Sequence, residues 1–355
     1  MTDTAAAKPQ TRGDAVRLDE RHAVTSCTCS TSTEAACSVA RTVSILSDPW
    51  AFLLIREAFF GARRFETFRS ALGLPRGTLS TRLKMLTSRG IFEQLRYSNT
   101  TDRMEYRLTG AGLELYPCMI ALMQYGDRWL AGAQGPPVVL LHTNCGAECK
   151  PIVACSCCRE PVTVATVAVR AGPGAGHETV VGLRHARRSS DPAVYRQGRP
   201  SSVSRSLEII GDRWACLIVR EALAGVSRFD RLRTTLGIAP NILTQRLTRL
   251  VASGVLQRNC YQRQPRRFEY LPTAMGQDLY GPLLTMMAWG DRHLGDGQPP
   301  LLLHHLACDH DFTAVVVCNQ CREPVTAQTV RYRMLYDTAA FEPGEVTGRK
   351  APGRM

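Results

Sequence analysis

An internal duplication constrains this chain more than any other feature of its sequence. The stretch SVARTVSILSDPWAFLLIREAFFGARRF, from Ser38, aligns without a gap with SVSRSLEIIGDRWACLIVREALAGVSRF, from Ser202. At the same offset, the tripeptide GDR at 126–128 falls on the GDR at 290–292. Self-similarity at a fixed offset marks copies of one structural unit, and 355 residues are enough to bury several cores. The chain therefore contains two copies of one domain.

Each copy has the pattern of several helices followed by two strands. In the stretch 64–90 of the first copy, Leu79, Leu83 and Leu86 recur at helical spacing, and Gly90 follows as a helix stop. A helix, a tight turn and a second helix with a basic two-stranded hairpin behind them predict a winged helix-turn-helix. The predicted first-copy helices cover about 39–46, 49–60, 64–72 and 75–89, and the predicted strands cover 91–97 and 104–108.

A long apolar helix is predicted to close each copy. Thr109 and Thr273 are the expected N-caps of these helices, and Pro117 and Pro282, which lie inside them, are expected to kink them. Pro272 stands at the end of the second hairpin, so the last strand of the second copy is expected to be shorter than that of the first.

Exposed polar and basic side chains on the fourth helix of each copy are the candidate DNA contacts. A short helix that presents such side chains suits a major groove, and a basic wing suits phosphates or the minor groove. The candidates are Arg76, Thr78, Thr81, Arg82 and Lys84 within 75–89, Asn241, Thr244, Gln245, Arg246 and Arg249 within 239–253, and the wing residues Arg103, Arg263, Arg266 and Arg267. The two helix sets differ, which predicts an asymmetric DNA site or one copy without DNA contact.

Two interpretations of these basic residues that involve no DNA contact also fit the sequence. Arg82 and Arg246 could instead pair with Glu57 or Glu221 in a structural role. The wing arginines could belong to a solvated, charged loop.

Several motifs in order resemble the HxlR-type winged helix-turn-helix transcriptional regulators. They are DPWAFLLIREAFFGARRFETF, LSTRLKMLTSRGI, EYRLTGAG and YGDRWL, and the resemblance covers about 37–130 and again 201–294. It implies double-stranded DNA as the partner and dimers that pair through their first and last helices. In this chain, the duplication then resembles such a dimer fused into one intrachain pseudo-dimer, with further homodimerisation and the effector left open.

A short cysteine-rich segment follows each winged copy. LLHTNCGAECKPIVACSCCREPVT and LHHLACDHDFTAVVVCNQCREPVT share the pattern H-x-x-C, nine residues, C-x-x-C. The predicted metal ligands are His142, Cys145, Cys155 and Cys158 in the first segment, and His305, Cys308, Cys318 and Cys321 in the second. Two knuckles of two ligands each are what a tetrahedral zinc ribbon needs, so we expect one or two zinc ions per chain.

Other assignments of these cysteines remain open in the sequence. A thiol switch or the remnant of a decayed site would leave the same pattern, and Cys149, Cys157, His304 and His310 are further ligand candidates. Cys37 precedes the first helix at a point where sensors of the resembled family use a redox-active cysteine. Cys27 and Cys29 could resolve an oxidised Cys37, and the alternative is an incidental thiol.

The fold class predicted from these features is mainly α (α+β), with tandem winged domains that are each followed by a zinc-ribbon-like module. The predicted divisions are a disordered leader at 1–36, winged domains at 37–131 and 201–295, Cys/His modules at 136–165 and 299–331, a flexible basic linker at 166–200 and a tail at 332–355.

Charge and motif content favour a regulator over an enzyme. The net charge of +13 suits a polyanionic partner. We find no G-x-S-x-G, P-loop, G-x-G-x-x-G or H-E-x-x-H motif, so we expect no enzyme. The sequence lacks an apolar run long enough for a bilayer and a signal-peptide core, which predicts a cytoplasmic protein. A protein-interaction adaptor or a redox- or metal-sensing module, with winged domains that no longer bind DNA, is the alternative.

Overall fold

A computed structural model of the chain describes residues 32–46, 49–96, 104–180 and 198–338. The first strand, β1 (Ser32–Ala35), precedes the first winged domain, although it falls within the predicted disordered leader. The elements of the first winged domain are α1 (Ser38–Leu46), α2 (Pro49–Phe59), α3 (Phe65–Leu72), α4 (Arg76–Ser88), β2 (Phe92–Arg96), β3 (Met104–Leu108), α5 (Gly110–Leu113) and α6 (Tyr116–Trp129). These bounds agree with the predicted helices and strands to within one or two residues, except after Thr109.

Strands then follow in the first Cys/His segment and in the chain behind it. They are β4 (Val138–His142), β5 (Glu148–Cys149), β6 (Ile152–Cys155), β7 (Val167–Ala171) and β8 (His177–Val180). The last two lie within the predicted linker, where β7 pairs with a strand of the second repeat and β8 pairs with β1. The first part of that linker is therefore sheet; residues 181–197 lie outside the described part of the chain.

The second repeat has the same order of elements. They are α7 (Ser202–Ile210), α8 (Arg213–Leu223), α9 (Phe229–Leu236), α10 (Pro240–Ala252), β9 (Leu256–Arg263), β10 (Arg266–Pro272), α11 (Ala274–Gln277), α12 (Tyr280–Leu294), β11 (Leu301–His305), β12 (His310–Phe312), β13 (Ala314–Val317) and β14 (Val330–Met334). The strand β14 extends into the predicted tail, of which the structure describes the part up to residue 338.

The helix-turn-helix of each repeat forms for the reasons that the sequence indicates. Leu79, Leu83 and Leu86 are completely buried along one face of α4. The turn between α3 and α4 contains Gly73 in the left-handed conformation, at φ 64°, where a side chain would be strained. Gly237 occupies the same conformation between α9 and α10. The buried leucines and the glycine turn together fix the angle at which α4 leaves the domain.

The prediction of one long, kinked closing helix is wrong. The Thr109 hydroxyl accepts a hydrogen bond from the Gly112 amide at 3.1 Å, but the helix that it caps, α5, ends after one turn. Pro117 then lies in the first turn of the separate helix α6, and Pro282 lies in the first turn of α12. A proline in a first turn costs no backbone hydrogen bond, because those amides have no intrahelical acceptor.

The expected shortening of the second wing is also wrong. The strand β10 runs from Arg266 through Pro272, which pairs with Leu256 at the end of the hairpin. Its seven residues exceed the five of β3. Pro272 is tolerated because it is the terminal residue of a strand in a two-stranded sheet.

The two winged domains pack reciprocally through their first and last helices. Helix α1 of the first repeat packs on α12 of the second, and α7 of the second packs on α6 of the first. The Thr42 hydroxyl donates to the Met286 carbonyl at 3.0 Å, and the Ser206 hydroxyl, at the aligned position, donates to the Leu122 carbonyl at 2.7 Å. The two contacts are related by an approximate two-fold symmetry within one chain.

Glycines allow the close approach of these helices. A Cβ at Gly126 would collide with the carbonyl oxygen of Ser202, and a Cβ at Gly290 would collide with that of Ser38. Both glycines belong to the repeated GDR tripeptide, whose aspartates, Asp127 and Asp291, accept hydrogen bonds from the hydroxyls of the same two serines.

The strands behind the winged domains form one intertwined unit, because they pair between the repeats. Antiparallel pairs join β6 with β13, β7 with β11, and β14 with β4. The Arg159 guanidinium donates to the Glu323 carboxylate of the other segment at 2.7 Å. The two segments predicted as separate modules thus share their sheets. Among the described residues, no single helix is long and apolar enough to span a bilayer.

Candidate nucleic-acid interface and metal clusters

The fourth helix of the first repeat presents most of its predicted DNA contacts to solvent. The side chains of Arg76, Thr81 and Lys84 are exposed, whereas those of Thr78 and Arg82 are half-buried. Arg76, with 72% of its side chain exposed, reaches across the turn to the Glu66 carboxylate at 2.7 Å. The Arg69 and Arg76 guanidiniums lower the pKa of this carboxyl, with the hydrogen bond from Arg69 as the largest cause.

The corresponding helix of the second repeat, α10, has a different exposed face. Asn241, Thr244 and Gln245 are exposed, and the half-buried Arg249 approaches the Glu208 carbonyl at 3.5 Å. The first repeat has exposed charges at Arg76 and Lys84, where the second has Pro240 and Thr248.

Arg246 has the structural contacts that the sequence left open as an alternative, but with another partner. Only 8% exposed, it donates from Nε to the Asp212 carboxylate at 3.0 Å and from Nη1 to the Gln245 side chain at 2.9 Å. Asp212 also caps α8 through the Trp214 and Ala215 amides.

The two glutamates considered as partners pair elsewhere: Glu57 with Arg56, and Glu221 with Arg220. The guanidinium of Arg246 is thus engaged within its own domain.

The second wing extends the basic surface beyond α10. Arg263, Arg266 and Arg267 are exposed at the tip of the β9–β10 hairpin. Behind the tip, the Arg258 guanidinium stacks over the Phe268 ring, 4.4 Å from its centroid. In the first wing, Arg103 lies outside the described residues.

The eight predicted metal ligands form two clusters, and each cluster takes its ligands from both segments. One contains His142, Cys145, Cys318 and Cys321; the other contains Cys155, Cys158, His305 and Cys308. In each, all ligand atoms lie within 4.8 Å of one another. The expectation of one site per segment is therefore wrong. The reason is that the strands between the knuckles pair across the repeats, so the H-x-x-C of one segment faces the C-x-x-C of the other.

The same backbone turn closes all four knuckles. The residue after each second ligand has a positive φ, and its amide donates back to the carbonyl of the first ligand. These pairs are Gly146 with His142 (2.8 Å), Arg159 with Cys155 (2.9 Å), Asp309 with His305 (2.9 Å) and Arg322 with Cys318 (3.0 Å). Amides also point at sulfur: Cys157 N lies 3.3 Å from Cys155 Sγ, and Gln320 N lies 3.4 Å from Cys318 Sγ.

The distances within the clusters fit a tetrahedral metal. The Sγ atoms of Cys145 and Cys318 are 3.9 Å apart, and those of Cys155 and Cys308 are 3.8 Å apart. A tetrahedron with metal–sulfur bonds of about 2.3 Å has edges of about 3.8 Å. Nδ1 of His142 lies 3.3 Å from Cys321 Sγ. Its Nε2 lies 3.3 Å from the Pro324 carbonyl, an outer contact that orients a metal-binding imidazole. The two clusters can hold a metal ion.

The further ligand candidates lie outside both clusters. Cys149 is buried, and burial is the main cause that raises the pKa of its thiol to about 12. Cys157 points at the Asp311 carbonyl, and the His304 ring lies between the carboxylates of Asp309 and Asp311 at 3.0 Å from each. His310 contacts the Cys308 carbonyl. The structure thus separates the cluster residues from the other cysteines and histidines of the segments.

Cys37 lies at the boundary between the repeats. It is buried, and its sulfur accepts a hydrogen bond from the Arg220 guanidinium of the second repeat at 2.7 Å. The aligned residue, Ser201, caps α7 instead. Cys27 and Cys29, the predicted resolving thiols, lie outside the described residues.

Sequence reasoning missed the residues that join the two repeats. Arg128 pairs with Asp278 at 3.0 Å, and Arg292 pairs with Glu114 at the aligned positions. The signal was present in the GDR tripeptide, which occurs in both copies on the last helix, the helix that the family resemblance implies in dimer contacts.

Comparisons with known proteins match the same two regions. The family model described as HxlR-like helix-turn-helix matches residues 45–134 and 209–298. An uncharacterized HTH-type transcriptional regulator from Mycobacterium tuberculosis is 44% identical over 39% of this chain and 87% of its own length. The Bacillus subtilis HTH-type regulator YtcD is 36% identical over 26% of this chain and 75% of its own.

Among solved structures, PA1374 from Pseudomonas aeruginosa is 40% identical and covers 34% of this chain and 74% of its own, with a TM-score of 0.23. The family model and the curated relatives support DNA-binding transcriptional regulation. The chain belongs to the HxlR-like helix-turn-helix family and carries the family domain twice.

Proposed function

We propose that this chain is a sequence-specific transcriptional regulator whose two winged domains act as an intrachain pseudo-dimer. The helices at 75–89 and 239–253 would enter the major groove, and the wings would contact the backbone. The observation that carries the proposal is the reciprocal packing of α1 on α12 and of α6 on α7. This packing joins two helix-turn-helix units in one body, as binding to two half-sites of one DNA segment requires. A cytoplasmic location is part of this proposal, because the protein would meet its DNA partner there.

The DNA site is expected to be asymmetric. Lys84 and Thr81 of the first repeat correspond to Thr248 and Gln245 of the second, so the two helices offer different donors and charges. The excess of basic residues supports phosphate contacts in both halves.

Footprinting of the intact protein on the DNA that flanks its own gene tests the proposal. We expect one protected segment with two half-sites about one helical turn apart, and binding that weakens steeply as salt rises. A folded protein without detectable binding at about 50 mM salt would contradict the proposal and would favour the adaptor.

We further propose that both clusters hold zinc. Three thiolates and one imidazole in tetrahedral reach suit zinc better than they suit magnesium or calcium, which prefer oxygen ligands. Because each cluster draws ligands from both repeats, bound zinc would brace the two halves against each other. The eight ligands of the chain provide two such sites.

Metal analysis after gentle purification tests the zinc proposal. We expect about two zinc ions per chain, and a content below about 0.2 would contradict it. Substitution by cobalt provides a second readout, since tetrahedral thiolate ligation gives intense visible absorption.

A further inference from the structure

A cavity of about 320 Å³ lies where the second winged domain meets the shared strands. Its walls come from α1, α8, α12, β7 and β11. The lining is mostly apolar and includes Val39, Leu223, Leu284, Met287 and Leu303. Its volume is in the range of sites that bind small molecules.

The aligned region of the first repeat is filled by aromatic side chains. Phe60 and Tyr332 pack edge to face there, with ring centroids 5.1 Å apart. Phe60 aligns with Ala224, and Tyr332 aligns with Val169, both of which are much smaller. The pairing of the strands supports this alignment, because Tyr332 lies opposite Leu140 just as Val169 lies opposite Leu303. At the cavity, Ala224 and Val169 thus leave open the space that two aromatic rings occupy in the first repeat.

The exchange of Tyr332 for Val169 also changes the surroundings of the tyrosine that is Tyr116 in the first repeat and Tyr280 in the second. In the first repeat, the Tyr332 hydroxyl donates to the Tyr116 hydroxyl at 2.8 Å. Tyr280 aligns with Tyr116 and lines the cavity, but Val169 offers it no such partner. Burial raises the pKa of Tyr280 to about 12, which keeps its hydroxyl neutral. The open half thus contains a neutral hydroxyl that a bound molecule could meet.

The charged groups at the edge of the cavity already have partners within the protein. Arg220 is paired with Glu221 and donates to Cys37, and Asp291 accepts from Ser38. An ionic ligand would have to displace one of these contacts, whereas an uncharged ligand would not. The mouth is apolar too, since Val169 is 52% exposed and Leu301 is 38% exposed.

We propose that this cavity binds a small, uncharged, largely apolar molecule with one hydroxyl, carbonyl or amine group directed at Tyr280. This binding site is a separate proposal from the regulatory function above, because its occupancy can be measured in the absence of DNA. It adjoins α1 and α12, the helices that join the two repeats, so a bound molecule would contact both repeats at once.

Titration of the full, metal-loaded chain with N-phenyl-1-naphthylamine, a neutral aromatic amine that fluoresces in apolar surroundings, tests the proposal. The wild type is expected to bind one molecule saturably. The double variant Ala224→Phe/Val169→Tyr copies the filling of the first repeat, and we expect it to bind at least tenfold more weakly while its melting temperature is retained.

The matched variant Phe60→Ala/Tyr332→Val opens the corresponding space in the first repeat and is expected to add a second binding site. The single variant Tyr280→Phe, which keeps the ring, is expected to weaken binding about threefold. Absence of saturable binding to the wild type, or equal affinity in the filled double variant, would overturn the proposal. Neither result would bear on DNA binding.

Discussion

In the first repeat Lys84 is exposed on α4, and the aligned residue on α10 of the second repeat is Thr248. The contacts between the repeats, by contrast, recur in both directions. Thr42 and Ser206 reach equivalent carbonyls of the opposite repeat. An exposed side chain on these two helices lies outside the core, so it can change without loss of the fold. A side chain at the boundary between the repeats contacts the helices of the opposite repeat. A change there must therefore remain compatible with those helices.

The Cys/His unit extends this comparison. Its two clusters have the same ligand types and the same knuckle turns. Because strands pair between the repeats, each cluster takes ligands from both of them. The cavity differs between the halves, because Ala224 and Val169 replace Phe60 and Tyr332. The Cys/His clusters and the helix interface thus follow the approximate symmetry, whereas the exposed faces of α4 and α10 and the cavity depart from it.

The largest expected effect tests the shared boundary. Gly126→Ala places a Cβ against the Ser202 carbonyl, so we expect it to lower the free energy of unfolding by about 3 kcal/mol. Gly290→Ala should cost a similar amount, since it meets the Ser38 carbonyl. Urea denaturation measures both effects. Gly77→Ala is the control, because its Cβ would meet nothing within 4 Å. If the boundary variants were as stable as this control, the close helix contact would be refuted.

The next effect concerns a residue that looks like a DNA contact in the sequence. Arg246→Ala removes the ion pair with the half-buried Asp212 and should cost about 2 kcal/mol of stability. Thermal or urea unfolding checks this, with the exposed neighbour Gln245→Ala as the control. An Arg246→Ala protein with unchanged stability and much weaker DNA binding would show that the arginine acts on DNA instead.

A smaller effect distinguishes the exposed faces of α4 and α10, which we propose to contact DNA. Lys84→Ala should weaken DNA binding by about 1 kcal/mol and reduce the slope of log affinity against log salt by about 0.9, as expected for one lost phosphate contact. Thr248→Ala, at the aligned position, carries no charge and should leave the slope unchanged. Equal slopes in all three proteins would place Lys84 away from the phosphates.

An effect of similar size is expected for the pH dependence of stability at the boundary between the repeats. Burial raises the pKa of Asp127 to about 6, against the opposing effects of the Ser202 hydroxyl and Arg205. Because its pKa is raised in the folded protein, this carboxyl stabilises the fold fully below its ordinary pKa of 3.8, and that contribution is lost as the pH rises through about 6.

Relative to wild type, Asp127→Asn should therefore gain about 1 kcal/mol of unfolding free energy between pH 4 and pH 7, after a discount for partial exposure. Glu93→Gln, at an exposed residue of β2, is the control. A flat difference between Asp127→Asn and wild type over this pH range would contradict the raised pKa.

The sequence predicted the local elements well, because they depend on local signals. The leucine spacing in α4 and the glycines at 73 and 90 are sufficient to place the helix-turn-helix. The end of α5 was missed because Thr109 caps a helix whatever the length of that helix. The inclusion of Pro272 in β10 was not predicted, because a proline is acceptable as the terminal residue of a strand in a two-stranded sheet.

The pairing of the metal ligands could not be predicted from the sequence. The pattern H-x-x-C followed by C-x-x-C occurs twice, so a site within a segment and a site across segments satisfy it equally. The choice depends on which strands pair, and the partners of β6 and β7 lie more than a hundred residues away along the chain. The roles of Arg246 and Cys37 also depend on tertiary contacts, with Asp212 and with Arg220 respectively.

Zinc content in two double variants tests most directly the claim that the repeats form one shared unit. Cys145→Ser/Cys318→Ser removes two ligands of one cluster, whereas Cys145→Ser/Cys155→Ser removes one ligand from each. The account predicts that the first variant retains about one zinc ion per chain and that the second retains almost none. The opposite result, with zinc retained in the second variant and lost in the first, would contradict it.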